Sequence, residues 1–282
     1  MIAHETRARS NGVAFLIRMT NGYGFLYIDN MSLVDCHCHL YTLARVKTAI
    51  LRARDAGVTK AVVVSEDQPS MEQTLRLRDA FPEFVLPGLG IHPVNVFSMS
   101  PQEWERAFSF LKSHAHEASC IGEIGLDFKY ATTEKEQEKQ RKALHVQMEV
   151  AADNHLPINL HSRRALRQTM EEAIAFHRNT GLPALLHWFA HSEKLLRRTN
   201  REGIFVSVGP SILFSEEALN LAYTIDPQLI LVETDTPVPF KGKPASLAWV
   251  GEVAERLIAN YPQNQLTSRK LYGNTQRFLQ KA

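Results

Sequence analysis

From Leu33 onward, short apolar runs alternate with segments of helical periodicity, and run after run ends in an imidazole or a carboxylate. His37 and His39 close Leu33-Val34-Asp35-Cys36-His37-Cys38-His39, and His92 follows the run from Phe84 to Ile91. Glu123 and Asp127 lie in Cys120-Ile121-Gly122-Glu123-Ile124-Gly125-Leu126-Asp127, while His161, His187 and Asp235 end the runs that begin at Leu156, Pro183 and Leu229. Strands that alternate with helices form a parallel sheet, because a parallel neighbour is reached only through a crossover connection. The runs predict strands near 33–39, 60–65, 84–91, 120–127, 156–161, 183–187, 203–208 and 229–235. Eight such units without a long polar linker predict an α/β fold closed into a (β/α)8 TIM barrel, one domain over 31–282. A doubly wound open sheet is the competing architecture, and it would leave the polar ends of strands one, four, five, six and eight apart. A barrel gathers them on its C-terminal face, where catalytic groups are carried.

Helix ends are written into the intervening segments. Ser100-Pro101-Gln102-Glu103 offers a cap, a proline at the first helical position and a glutamate at the third, and Thr133 to Glu136 repeats the cap spacing. Gly57, Gly181 and Gly203 stand where C-terminal glycines are expected. The first 30 residues precede this pattern as a short N-terminal extension. Two readings of it stay open: a hairpin of Phe15–Met19 with Phe25–Ile28 through Asn21-Gly22-Tyr23-Gly24, or an annotation extension upstream of a start at Met31.

A net charge of +2 over 282 residues gives no global field to draw the chain onto nucleic acid or anionic lipid, so any polyanion site must be local. No apolar run is long enough to span a bilayer, and the segment around Ala14-Phe15-Leu16-Ile17 is too short for a signal-peptide core. Cys36, Cys38 and Cys120 are too few for a disulfide framework, which points to a reducing, cytoplasmic location.

Residues two apart on a strand share a face, so Asp35, His37 and His39 are expected to point one way and Cys36 and Cys38 the other. That argues against a zinc site built from Cys36-His37-Cys38-His39 and makes the cysteines small core residues. A lone strand histidine is an ordinary residue. His37, His39, Glu123, His161, His187 and Asp235 are different, because they occupy the same ends of different strands. Four imidazoles and two carboxylates exceed one tetrahedral zinc with an open position, so two divalent ions are the better count, with Glu123 able to bridge them. His4, His114, His116, His145, His155, His177 and His191 receive no role.

Here the residues carry a resemblance. Asp35-Cys36-His37-Cys38-His39-Leu40, Gly90-Ile91-His92-Pro93, Gly122-Glu123-Ile124-Gly125-Leu126-Asp127, Pro157-Ile158-Asn159-Leu160-His161-Ser162-Arg163 and Glu233-Thr234-Asp235-Thr236-Pro237 resemble the signatures of the TatD-family metal-dependent deoxyribonucleases, barrels of the amidohydrolase superfamily. The resemblance runs from about residue 33 to the C-terminus and includes Asn274. It implies that His37, His39 and Asp235 hold one metal, that His161 and His187 hold the second, and that Glu123 is shared. It further implies that Asp235 orients or deprotonates a bridging water, that His92 meets the scissile phosphate or the leaving group, and that Arg163 meets a substrate oxyanion. Asp35, Asp127 and Glu233 are expected to orient ligand imidazoles. Two stretches depart from the family: Trp188-Phe189-Ala190-His191 after the sixth strand and Lys243-Pro244-Ala245-Ser246 beyond the eighth.

Paired divalent ions lower the pKa of a bridging water and clamp a phosphodiester, so a metal-bridging hydroxide is the expected nucleophile. Lys129, Arg163, Arg164, Lys241 and Lys243 follow strands four, five and eight and would line the mouth with positive charge, while Trp188, Phe189 and Phe240 could stack on a base. The resemblance thus implies a hydrolase of ester bonds, a DNase trimming single-stranded DNA from the 3′ end, and a monomer without an obligate protein partner or membrane is expected. Zinc, manganese and magnesium all suit the ligands. A metal-dependent ester or amide hydrolase such as an aminoacyl-tRNA deacylase could use the same ligands, and a non-catalytic, metal-stabilised barrel is the third alternative.

Overall fold

The structure is a computed structural model that describes residues 5–10, 13–18, 32–188 and 192–280. The chain divides into two compact units, Met1–Met31 and Ser32–Ala282. In the first, Glu5–Ser10 pairs antiparallel with Val13–Arg18. The strand expected at Phe15–Met19 falls largely on the second of these. Phe25–Ile28, its expected partner, lies outside the described residues.

The second unit is the (β/α)8 barrel. Its strands are β1 (Leu33–Cys38), β2 (Val58–Val64), β3 (Val85–Leu89), β4 (Cys120–Asp127), β5 (Ile158–Arg163), β6 (Ala184–Leu186), β7 (Phe205–Val208) and β8 (Ile230–Val232). They are hydrogen-bonded in sequence order, and the pairs are all parallel. Each expected strand is present, shifted by a few residues at most. Between β8 and β1 the ring closes through the Asp235 N–H to the His37 carbonyl, 2.9 Å, and the His39 N–H to the Thr236 carbonyl, 2.7 Å. Asp35 completes this seam by accepting from the Thr234 N–H at 3.0 Å and the Thr234 hydroxyl at 2.5 Å.

The interior is filled, not hollow, as barrels of this size require. Val34, Cys36, Val62, Leu86, Cys120 and Leu231 join one buried cluster, and Phe278 and Leu279 reach it from the end of the C-terminal helix Ser268–Phe278. Asn274 anchors that helix to the carbonyls of Ile230 and Pro227, at 2.7 and 3.0 Å. The cysteines are buried and form no disulfide. The expected helix ends hold as well. Ser100 and Thr133 form capping boxes with Glu103 and Glu136, and Gly181 and Gly203 take left-handed φ values of 74° and 71° at their helix ends.

Two of the strands that carry candidate ligands hold an extra residue beside them. On β1 the step from Asp35 to Cys38 spans Ala61 to Val63 on β2, and on β4 the step from Ile121 to Ile124 spans Ile158 to Leu160 on β5. Each strand therefore holds one extra residue, a bulge, beside His37 and beside Glu123. A bulge re-aims side chains.

Candidate metal centre

Glu123 is the hub. It is 3% exposed, and five imidazoles stand within 4 Å of its carboxylate. Oε2 faces His37 and His39, each at 3.6 Å. Oε1 faces His161 at 2.8 Å, His187 at 2.9 Å and His92 at 3.8 Å. Asp235 Oδ1 joins the Oε2 side, 3.2 Å from His39 Nε2 and 3.6 Å from His37 Nε2. The six expected metal ligands therefore come together, three strands and the seam region contributing to one side of Glu123 or the other.

Local backbone geometry makes this convergence possible. At Gly125, φ is +143° and an added Cβ would lie 2.1 Å from the His161 carbonyl oxygen, so β4 approaches β5 here only without a side chain. At Gly122 a Cβ would meet the Asn159 Cβ at 2.7 Å. Asp235 has a φ of 54°, a left-handed conformation that Asp and Asn adopt more readily than most residues.

Groups behind the imidazoles bear on which nitrogen each presents. Asn159, fully buried, donates from Nδ2 to the Cys36 carbonyl at 3.1 Å, so its Oδ1 faces His37 Nδ1 at 3.0 Å. An amide oxygen only accepts, so His37 carries its proton on Nδ1 and presents a bare Nε2 to the site. That Nε2 is buried and has no hydrogen-bond partner. A buried nitrogen lone pair facing two carboxylates is costly unless a cation or a proton occupies the gap. His39 Nδ1 lies 3.3 Å from the Tyr41 hydroxyl, which donates to Glu66 Oε2 at 2.7 Å. Burial, then the Glu66 charge, pushes the Tyr41 phenol up, so it stays neutral and accepts from His39. Asp127 Oδ2 is 3.2 Å from His161 Nε2, and Glu233 Oε1 is 3.5 Å from His187 Nδ1.

Asp127 and Glu233 thus stand where they can orient imidazoles. Asp35 does not. It accepts from the backbone N–H of His37 at 3.2 Å and from Thr234, because the bulge in β1 ends the alternation that would have put it on the face of His37. The same bulge leaves Cys36 in the interior cluster beside Val34, on the side from which simple alternation excluded it. Burial pushes the Asp35 carboxyl up to about 8, against the hydrogen bonds from Thr234 and His37.

His92 behaves differently from the other four. It caps the helix Pro93–Ser98, and its Nδ1 accepts the Val94 N–H at 3.1 Å. The neutral ring therefore bears its proton on Nε2 and offers a donor toward Glu123, not a lone pair. Burial lowers its pKa to about 4, with the Glu123 charge working the other way. For His39, burial opposes charge, but the hydrogen bond to Asp235 and the Glu123 charge outweigh it and raise the value to about 9. His161 and His187 are raised in the same way against burial. Glu123 is held well below the usual carboxylate range, the surrounding imidazoles overcoming burial, and Asp235 is lowered by its His39 hydrogen bond in spite of burial. Protons and a cation compete for one pocket of negative charge. Among the described residues, candidate ligand atoms gather in His37, His39 and Glu123; in His37, His187 and Glu233; and in His92, Glu123 and His161, the last only if His92 gives up its Nε2 proton. No cysteine belongs to them, and the donor set fits a divalent cation.

Of the expected substrate contacts His92 stands in this cluster, and the basic ones face aromatic rings. Lys129 Nζ and the Arg163 guanidinium stand 5.1 and 5.8 Å from the ring of Tyr130, and Lys241 Nζ stands 5.2 Å from that of Phe214. Phe189 and His191 lie outside the described residues. Sequence reasoning missed Tyr41, Glu66 and Ser207 as supports, and it quoted Asn159 without a role. Only Asn159 sits at a telling place, two residues before His161 on one strand.

Comparison with known proteins adds the family. Residues 34–280 match the family described as TatD related DNase. The human protein named deoxyribonuclease TATDN3 is 32% identical over 218 residues, 73% of this chain and 78% of that one. A protein of Pectobacterium carotovorum named 3′-5′ ssDNA/RNA exonuclease TatD is 28% identical over 210 residues, 70% of this chain and 76% of that one. The crystal structure of the Escherichia coli TatD homologue YJJV superposes with a TM-score of 0.76 at 22% identity, covering 89% of this chain and 98% of that one, a likeness of fold.

Proposed function

This chain belongs to the TatD-related DNase family of metal-dependent hydrolases, and from that premise we propose that it removes nucleotides from the 3′ end of single-stranded DNA with two divalent ions bound at Glu123. The observation that carries the reading is the division of that carboxylate. One oxygen faces His37 and His39, which also face Asp235, and the other faces His161 and His187. A carboxylate with imidazoles on both oxygens is arranged to be shared between two cations. Zinc or manganese suits the imidazoles, and the carboxylates also admit magnesium.

When bound, such ions supply Lewis acidity and a lowered water pKa. The chain's own groups do the rest. Asp235, kept ionised at the mouth of the cluster, takes the proton of the attacking water on its carboxylate. His92 donates from Nε2 to a nonbridging phosphate oxygen and, because burial keeps the ring neutral, adds a hydrogen bond there without adding charge. The water oxygen bonds phosphorus, the P–O3′ bond breaks, and the proton taken up by Asp235 passes to the leaving 3′ oxygen. Lys129, Arg163 and Lys241 neutralise the neighbouring phosphates. Every group invoked comes from one chain, so the reading takes the protein as a monomer. Three buried cysteines outside any disulfide suit a reducing cytoplasm, and no helix among the described residues is long and apolar enough to cross a membrane.

The test is degradation of 3′- and 5′-labelled single-stranded DNA by the full chain with manganese, magnesium, zinc or chelator. A ladder shortening from the 3′ end, abolished by chelator and by Asp235→Asn, is expected. Intact DNA beside metal-loaded protein that hydrolyses an acyl ester would overturn the reading.

A further inference from the structure

Four large apolar side chains are exposed among the described residues, and three of them, Tyr130, Phe214 and Val238, lie in the loops that follow β4, β7 and β8. Single exposed hydrophobics are ordinary, but their gathering around one mouth marks a binding surface. Phe214 is the outer end of a row of rings. Its ring centroid lies 5.1 Å from that of Phe240 at an interplanar angle of 19°, and Phe240 lies 6.1 Å from Trp188 at 30°. These spacings are those of stacked aromatic pairs.

The inner end of the row is tied to the ligand cluster. The Trp188 backbone N–H donates to Ser207 Oγ at 3.1 Å, and the Ser207 hydroxyl donates to Glu233 Oε2 at 2.6 Å. Glu233 is the carboxylate behind His187. The row thus runs from the metal centre to solvent. Its charge is placed as deliberately as its rings: Pro239–Phe240 pairs antiparallel with Lys243–Pro244. Lys241 and Gly242 form the two-residue turn between them, with φ values of 47° and 78°. That turn holds Lys241 Nζ 5.2 Å from the Phe214 ring.

We propose that Trp188, Phe240 and Phe214, with Lys241, form a stacking platform for the unpaired bases next to the scissile phosphate, which makes these residues determinants of single-strand specificity. A nucleotide presents one flat face and one negative charge, and the row presents rings with a cation beside the outermost. Stacking tolerates any base, because each has a π-face. Bases in a duplex are already stacked and paired, so the platform selects strands whose bases are free. This inference rests on the DNase reading for the direction of the strand but not for the contact itself.

Binding and turnover are therefore measured separately on the full chain. Fluorescence anisotropy of a labelled short oligothymidylate in chelator gives Kd, and manganese-dependent degradation gives KM for the single strand and for the same sequence in a blunt duplex. Phe214→Ala is expected to raise Kd and single-strand KM about tenfold or more, with a smaller change in kcat, and to shrink the preference over duplex. Phe214→Tyr, which keeps the ring, is expected to restore both. An abasic nucleotide at the contacted position should cost the parent protein the same factor and cost Phe214→Ala nothing further. Parental Kd and KM in Phe214→Ala, from a protein that degrades DNA, would overturn the platform and leave the nuclease standing. A ring-dependent Kd in a protein that degrades no oligonucleotide would keep the platform and overturn the nuclease.

Discussion

Truncating Asn159 should separate the fold from the metal centre. Its amide links two buried groups, accepting from His37 Nδ1 at 3.0 Å and donating to the Cys36 carbonyl at 3.1 Å, with the side chain fully buried. Asn159→Ala leaves both without a partner. Each buried polar group left unsatisfied costs about 1–3 kcal/mol, so the metal-free protein should lose about 2–6 kcal/mol in urea unfolding. The ring of His37 would also be free to turn, and loss of such a support lowers metal affinity by about 10- to 100-fold. Asn159→Asp should break the pattern. The carboxylate still accepts from His37 Nδ1 and makes the imidazole more basic, so zinc affinity should match or exceed the parent. It also faces the Cys36 carbonyl without a proton to give, so stability should fall. Isothermal titration with zinc and urea denaturation in chelator read the two quantities independently. Parental zinc affinity in Asn159→Ala, alongside a stability loss, would refute the orienting role and reduce Asn159 to a strut between β1 and β5.

Three further outcomes are expected. Glu123→Gln keeps the volume of the hub but removes the charge shared by five imidazoles; nuclease activity should drop by at least about a hundredfold and bound metal by elemental analysis should fall, and full metal content with full activity would refute the shared-carboxylate reading. Gly125→Ala places a Cβ at 2.1 Å from the His161 carbonyl at a φ of +143°, so it should destabilise the barrel by about 3 kcal/mol or more, and an unchanged melting temperature would show that the close approach of β4 and β5 is not required. Metal-free protein should lose thermal stability as pH rises from about 6.5 to about 9. His39 is raised to about 9 and His161 and His187 are raised also, so their stabilising protons are fully present below the ordinary histidine value and are lost through that window. Asp35, raised to about 8, acts in the same direction. The gap between zinc-loaded and chelated melting temperatures should widen over the same range, because the ion replaces protons, and a gap that narrows would contradict the competition.

The parts of this protein legible in its sequence are those that repeat a local rule. Alternating apolar runs and periodic segments located the eight strands, and cap residues located helix ends such as Ser100 and Thr133. The convergence of the candidate ligands was legible for a related reason: strand ends are easy to see, and a barrel brings strand ends together whatever lies between them. Alternation failed at the two places where chemistry demanded it. A strict two-residue period puts Asp35 with His37, yet the bulges in β1 and β4 turn His37 and Glu123 while sending Asp35 to the seam. A bulge is decided by the register of the neighbouring strand, so no window of sequence around residue 36 or 122 contains it. Glu66 and Ser207 were invisible for the same cause, since each reaches the cluster from another strand or its C-terminal end, while Tyr41, two residues after His39, takes its place only through the turn that follows β1.

The bulges also explain how one scaffold can hold its fold and its site to different rules. The extra residue in β1 lets Cys36 remain in the packed interior while its neighbour His37 enters the metal centre, so apolar packing and ligation are satisfied by adjacent residues. On a regular strand those two side chains would face opposite sides of the sheet, and one of the two demands would go unmet. Straightening β1 by deleting one residue between Asp35 and Cys38 should therefore preserve barrel pairing better than metal binding. Circular dichroism that stays near the parental spectrum, with zinc affinity lost, is the expected result. Retained affinity would show that ligation does not depend on the bulge, and the position of His37 would then need another cause.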